Sequence, residues 1–228
     1  MKLLGIDTST ENCSVALLNE DKLTFKSQLA PQKHAEILLD MIDSLLKENS
    51  VTKDELTGLV LGSGPGSFTG VRIAASTVQG LALGLNLKVA RVTSLEALAY
   101  EALSENSSSY VVSSLDARMG EVYVAVYEVK EKEPVLMDEE KVLKPDAGVD
   151  YIKSLLGGSD DFICAGSGIK ILQSSGLKNK SCLCELPVAS YLMHKGEILF
   201  KEGKIVDPEQ ALPLYVRNEV TWKKIGEQ

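Results

Sequence analysis

The sequence predicts an α/β protein of two lobes related by duplication, the second abbreviated. Three observations carry this expectation. First, an apolar strand ending on aspartate, then a polar turn and an alternating strand, occurs twice: residues 6–17 align without a gap on residues 115–126, an offset of 109. Second, helical and strand periods alternate after each copy. Third, a glycine-rich stretch joins a short apolar run to a helix in the first half. A strand-strand-strand-helix-strand-helix-strand order used twice implies a mixed sheet flanked by helices in each lobe.

Element by element, residues 3–6 form a short apolar strand closing on Asp7. The polar turn 8–12 leads to a second strand at 13–18, and Asn19-Glu20-Asp21 is a tight turn before a third strand near 23–29. The period then changes. Ile37, Leu38, Met41, Ile42, Leu45 and Leu46 recur at three- and four-residue spacing, which marks an amphipathic helix over about 34–48. Residues 59–61 make a fourth strand, 69–83 a helix and 87–92 a fifth strand. Thr93 then caps a further helix, with Glu96 three residues on as its capping-box partner. In the second half, strands are expected at 110–115, 122–129 and 162–165, and helices at 149–156 and 189–200. That half shows no clear glycine-rich loop. The expected division is 1–105 for the first lobe, 106–211 for the second and 212–228 for an extended tail docking back on the body, with the boundary in the serine-rich stretch 105–109.

Composition narrows the function. In 228 residues, 44% are hydrophobic and 25% charged, as in an ordinary globular protein. Acidic groups outnumber basic ones 32 to 24, for a formal charge of -8, and the densest basic spots hold two lysines each. Phosphate neutralisation needs clustered cations, so tight binding of nucleic acid by the chain alone is disfavoured. Residues 1–7 lack the long apolar core of a signal peptide, and no stretch approaches a membrane span, so a cytoplasmic location away from membranes is expected. Cys13, Cys164, Cys182 and Cys184 are irregularly spaced; Cys182 and Cys184 are too close for the usual zinc pair and read as reduced thiols.

The stretch Gly62-Ser63-Gly64-Pro65-Gly66-Ser67-Phe68-Thr69-Gly70-Val71-Arg72 packs four glycines and a proline together. Such a backbone is built for close approach, to a phosphate, to another subunit or to a second segment of the same protein. Arg72 falls in the first turns of a helix, where the dipole slightly disfavours a cation, so a carboxylate partner or an external ligand is expected for it.

Gly5-Ile6-Asp7-Thr8-Ser9-Thr10, the glycine-rich stretch, Gln79-Gly80-Leu81-Ala82, Leu115-Asp116-Ala117-Arg118-Met119-Gly120-Glu121-Val122-Tyr123 and Tyr215-Val216-Arg217-Asn218-Glu219-Val220 together resemble one family end to end. It is the TsaB (YeaZ-like) family of the bacterial system that places threonylcarbamoyl on the adenosine beside the tRNA anticodon, within the actin, sugar-kinase and heat-shock ATPase superfamily. The resemblance implies an actin-like, RNase H-like sheet in each lobe. It implies a non-catalytic scaffold that acts through a homologous catalytic subunit (TsaD-like), joined by a small P-loop ATPase (TsaE-like). ATP or ADP and a divalent metal are expected on those partners and none in the isolated chain, with tRNA held mainly through the complex. Asp7, Thr8, Ser9 and Thr10 are then a vestigial phosphate loop. The catalytic relative carries part of its metal site on a His-x-x-x-His helix, whose two ligand places fall here on Ser94 and Leu98. With only His34 and His194 in the chain and no His-Glu-x-x-His, a metalloprotease is disfavoured; His34 reads as a surface residue at a helix start.

The expected partner surface is the helix over 34–48 with the helix after Gly70, named by Ile37, Leu38, Met41, Ile42, Leu45, Ala74 and Ala75. A homodimer of the free chain through the same patch is a further expectation. Gly64, Gly66, Gly70, Arg72, Asp116 and Arg118 are expected to shape the cleft between lobes. The rival reading is a free-standing small-molecule kinase or ATPase of the same superfamily.

Overall fold

The computed structural model describes residues 1–178 and 184–216. In the first lobe, β1 (Lys2–Asp7), β2 (Asn12–Asn19) and β3 (Lys22–Leu29) form an antiparallel meander. After α1 (His34–Glu48), β4 (Gly58–Gly62) adds parallel to β1, and after α2 (Phe68–Leu85), β5 (Val89–Val92) adds parallel to β4. The resulting order is β3-β2-β1-β4-β5. After α3 (Ser94–Glu105), the second lobe repeats the plan: β6 (Tyr110–Arg118) and β7 (Glu121–Lys130) pair antiparallel, β8 (Glu133–Leu136) and β9 (Lys141–Leu143) share the outer edge of β7, and after α4 (Pro145–Leu156), β10 (Phe162–Ala165) adds parallel to β6. α5 (Ile169–Ser174) and α6 (Ala189–Lys201) follow. Among the described residues no strand lies outside β10, where β5 lies outside β4 in the first lobe. Each sheet has five strands among the described residues.

The duplication appears as equivalent placement. Asp7 closes β1 opposite Ser14 of β2, and Asp116 lies near the end of β6 opposite Val122 of β7. An irregularity between Asp116 and Arg118 shifts the second hairpin by a residue.

Alternation along the strands divides the core into layers. One face of the first sheet, with Leu4, Ile6, Val15, Leu17, Leu59 and Leu61, packs on α1 and α2. Its other face, with Leu3, Ala16, Leu18 and Val60, packs on Leu192 and Met193 of α6. In the second sheet, Val112, Val122, Val124 and Val126 pack on α4 and α5, while Val111, Leu115, Ala125 and Tyr127 pack on Leu95, Leu98, Ala99 and Ala102 of α3.

This arrangement corrects the expected domain limits. α3, placed by sequence in the first lobe, covers the second sheet, and α6, placed in the second, covers the first. Val206 also bridges to Val89 of β5. The linear boundary near 106 is therefore not the packing boundary: each sheet leaves one face bare, and a helix from the other half closes it. α3 is buried on both sides, where it meets α6 and where it meets the second sheet.

A single turn at Pro208–Gln210 precedes the tail, whose Leu214 N–H donates to the Ser63 carbonyl at 2.7 Å. The remainder of the expected tail, 217–228, and Cys182 lie outside the described residues.

Candidate functional site in the cleft and on the outer helices

β1 ends on a carboxylate that never reaches solvent. Asp7 is fully buried and accepts from the Ser9 N–H at 3.0 Å, the Ser9 hydroxyl at 2.8 Å and the Ser94 hydroxyl at 3.4 Å. Burial raises its pKa, and the bonds from Ser9 and Ser94 oppose that rise. Thr8 and Ser9 are buried as well. The Thr8 hydroxyl donates to the Gly70 carbonyl at 2.7 Å, the Ser67 N–H donates to the Ser9 carbonyl at 2.7 Å, and Ser94 and Ser9 share a hydroxyl bond at 2.8 Å. Of the four expected loop residues, Thr10 is half-buried and lines the cleft.

The glycines explain how the loop gets so near. A Cβ at Gly62 would stand 2.1 Å from the Asp7 carboxylate oxygen, and at Gly70 2.0 Å from the Thr8 carbonyl. Of the three uses open to the stretch, the structure displays the third: it wraps a second segment of its own chain. The second lobe has a counterpart that the sequence reading missed. Gly166-Ser167-Gly168 follows β10 as Gly62-Ser63-Gly64 ends β4, and a Cβ at Gly166 would stand 2.0 Å from the Ser114 carbonyl of β6. The shared Gly-Ser-Gly after a short apolar strand was the available signal.

Between the lobes lies a cleft of about 1090 Å³. Asp116, Arg118, Gly66 and Arg72 line it, while Gly64 and Gly70 are not among its lining residues. Arg118 crosses to Glu11 of the first lobe, Nη2 to Oε1 2.5 Å, and its own N–H donates to Asp116 at 2.7 Å. Arg118 and Met119 both take left-handed backbone angles, φ 63° and 55°, ahead of Gly120. Glu11 had no distinguishing sequence signal. Of the two alternatives expected for Arg72, the carboxylate partner is not found among the described residues. Its guanidinium carbon sits 3.4 Å from the Phe68 ring centre, and Nε donates to the Tyr215 hydroxyl at 3.1 Å.

The outer faces of α1 and α2 meet in a groove of about 390 Å³ lined by Leu39, Phe68, Arg72, Ile73 and Thr77 among others. Leu39, Phe68 and Leu83 are more than half exposed (58%, 55% and 58%), large for apolar side chains on a helix surface. The residues expected to form a partner surface are elsewhere. Leu38, Met41, Ile42, Leu45, Ala74 and Ala75 are buried in the first-lobe core, and Ile37 packs partly buried against it. The α1 stripe belongs to the core layer over the first sheet, nearest β2, and Ala74 and Ala75 are small because α2 lies close to β4 and β1. The unused small positions are Gly80 and Gly84, where an added Cβ would meet nothing within 4 Å.

Ser94 and Leu98, where the resemblance puts the two ligand places of the catalytic relative, are both occupied within the fold. The Ser94 hydroxyl is spent on Ser9 and Asp7, and Leu98 is packed in the α3 core layer. Among the described residues no group of three or more histidines, cysteines or acids is placed to hold a metal ion. His34, expected at the surface, is buried with its Nε2 unpartnered; His194 stacks on Tyr100 at 5.9 Å.

Sequence reasoning also missed a half-buried acid between α3 and the second sheet. Glu140 accepts from the Thr93 and Tyr127 hydroxyls through one oxygen, while the other is buried without a partner. Burial pushes its pKa up to about 7, against the two hydroxyl bonds. Glu96 nearby is raised by burial too, opposed by Lys195 at 3.1 Å.

The family model for TsaD, tRNA N6-adenosine threonylcarbamoyltransferase, matches residues 25–173, from β3 into α5. Over 230 residues the chain is 37% identical to the tRNA threonylcarbamoyladenosine biosynthesis protein TsaB of Escherichia coli (strain K12), covering 99% of this chain and 98% of that one. The chain belongs to the TsaB family. The TsaB of Haemophilus influenzae is 34% identical over 99% of this chain and 97% of its own. The solved structure of YeaZ from Pseudomonas aeruginosa superposes with a TM-score of 0.83 at 36% identity, covering 94% of this chain and 99% of that one. The likeness to TsaB thus spans both lobes and both crossing helices, as does the two-lobed actin-like fold.

Proposed function

We propose that this chain is a non-catalytic scaffold subunit for forming threonylcarbamoyladenosine beside the tRNA anticodon. It pairs through the outer faces of α1 and α2 with a homologous, TsaD-like catalytic subunit, and a TsaE-like P-loop ATPase joins them in the cytoplasm. The observation that carries this is near-full-length identity to proteins named for that biosynthesis. The interior of the chain supports it. Phosphoryl and acyl transfer need donors held free for developing charge, and here those of the Asp7–Ser9 turn are committed, the Thr8 hydroxyl to the Gly70 carbonyl and the Ser9 N–H and hydroxyl to Asp7. With Ser94 and Leu98 at the two metal places, ATP or ADP and the divalent metal belong on the partners. A charge of -8 assigns most tRNA affinity to the partner as well.

Reconstitution tests this. Threonylcarbamoyl-adenylate and tRNA should give product with the TsaD-like subunit present and none with this chain alone. Robust product from the purified chain alone would overturn it. Saturable ATP binding with Mg²⁺-dependent phosphate release by the isolated chain would establish the free-standing kinase or ATPase instead.

A further inference from the structure

Arg72 is held in an unusual way. Phe68 covers one face of its guanidinium at 3.4 Å, and the Tyr215 hydroxyl takes Nε at 3.1 Å. Among the described residues its two terminal nitrogens have no hydrogen-bond or ion-pair partner, in a chain carrying 32 carboxylates. The aromatic stack holds the planar fork in place, so little rotamer freedom remains to be lost when a ligand arrives. Arg72 also stands on a seam: it lines both the α1–α2 groove and the cleft between lobes.

The surroundings indicate what the fork is for. A phosphate-backbone site is built from several clustered cations. Here the groove neighbours are Ala35, Leu39 and Ile73 with the uncharged Thr69, Ser76 and Thr77, and Arg118, the other arginine lining the cleft, already pairs with Glu11 and Asp116. A largely apolar groove with the exposed Phe68, and an oriented arginine whose fork is unpaired among the described residues, has the make-up of a protein contact, where arginine and tyrosine are favoured anchors.

We propose that Arg72 is the ionic anchor of this surface: when a protein partner docks on α1 and α2, one of its carboxylates takes the two terminal guanidinium nitrogens of Arg72 side-on, over Phe68 and beside Tyr215. The inference rests on the reading that the outer faces of α1 and α2 form the partner surface. Bidentate geometry requires the fork, so lysine does not replace it.

The test is calorimetric titration of the full chain with the TsaD-like subunit at low and high salt, using wild type, Arg72→Gln, Arg72→Lys, Tyr215→Phe and Leu39→Glu, each first shown to unfold at the wild-type temperature. Arg72→Gln should weaken pairing roughly 30-fold or more and remove most of its salt dependence. Arg72→Lys should recover only part of the loss, and Tyr215→Phe should stay within a few-fold of wild type. If Arg72→Gln pairs normally while Leu39→Glu does not, the anchor is wrong and the surface stands. If both pair normally, the surface reading fails and takes the anchor with it. Normal pairing by Arg72→Gln with weakened tRNA binding by the complex would assign the fork to phosphate and overturn the proposal.

Discussion

Gly66 lies against the backbone of Ser9: a methyl group on its Cα would stand 2.2 Å from the Ser9 carbonyl oxygen, which itself accepts the Ser67 N–H at 2.7 Å. The glycine-rich loop and the β1–β2 turn are thus one packed unit. Both partners are backbone, so neither yields by rotating a side chain.

Gly66→Ala and Gly70→Ala should therefore each destabilise the chain by at least about 1–3 kcal/mol, the range for overpacking a filled interior. Urea unfolding checks this. Stability equal to wild type in either variant would mean that the loop does not grip the turn.

Gly80→Ala and Gly84→Ala should do the opposite. Both sit on the outer face of α2 with open space at Cβ, so each should gain about 0.8–1 kcal/mol from helix propensity. Replacing both with leucine should keep the chain folded while abolishing co-purification with the TsaD-like subunit. A double-leucine variant that still pairs would show that no partner backbone approaches there.

Leu38 and Leu39 are neighbours with opposite fates, 1% and 58% exposed. Leu38→Glu should unfold the chain or cost several kcal/mol, as buried unpaired charge does. Leu39→Glu should change stability by no more than about 0.5 kcal/mol and weaken pairing. Circular dichroism melts beside pull-down separate the two.

Glu140 should make stability fall as pH rises. Its folded pKa, about 7, lies above the ordinary 4.5, so between these values the folded state holds a proton that the unfolded state has released. Across that window stability drops by up to about 1.4 kcal/mol per pH unit; below it the contribution is fully present, and above it lost. Glu140→Gln should flatten this slope in urea titrations between pH 4.5 and 8. An unchanged slope would mean the carboxyl is charged in the fold.

The site was partly legible in sequence. The alignment of Asp7 on Asp116, the span of α1 and the cleft position of Arg118 followed from local pattern, because strand and helix periods are written within a few residues. The proposed partner surface was not. A stripe such as Leu38, Met41, Ile42 and Leu45 records that a face is apolar, and a sheet and a second protein satisfy it equally. The residues that stay exposed, Leu39 and Phe68, break the period and so carried no signal.

The amino-acid sequence by itself determined the order of elements, the duplication, the glycines at the close approach and the family. Only the tertiary structure decided that α3 and α6 exchange sheets, that the glycine loop closes on its own β1–β2 turn, and that Arg72 stacks on Phe68 and bonds Tyr215 with no carboxylate partner among the described residues. The division has one physical cause. Backbone propensity and amphipathic period act over a few residues, whereas the choice of what covers an apolar face, or meets a charge, is made by packing between segments as distant as Arg72 and Tyr215, whose contact joins α2 to the tail.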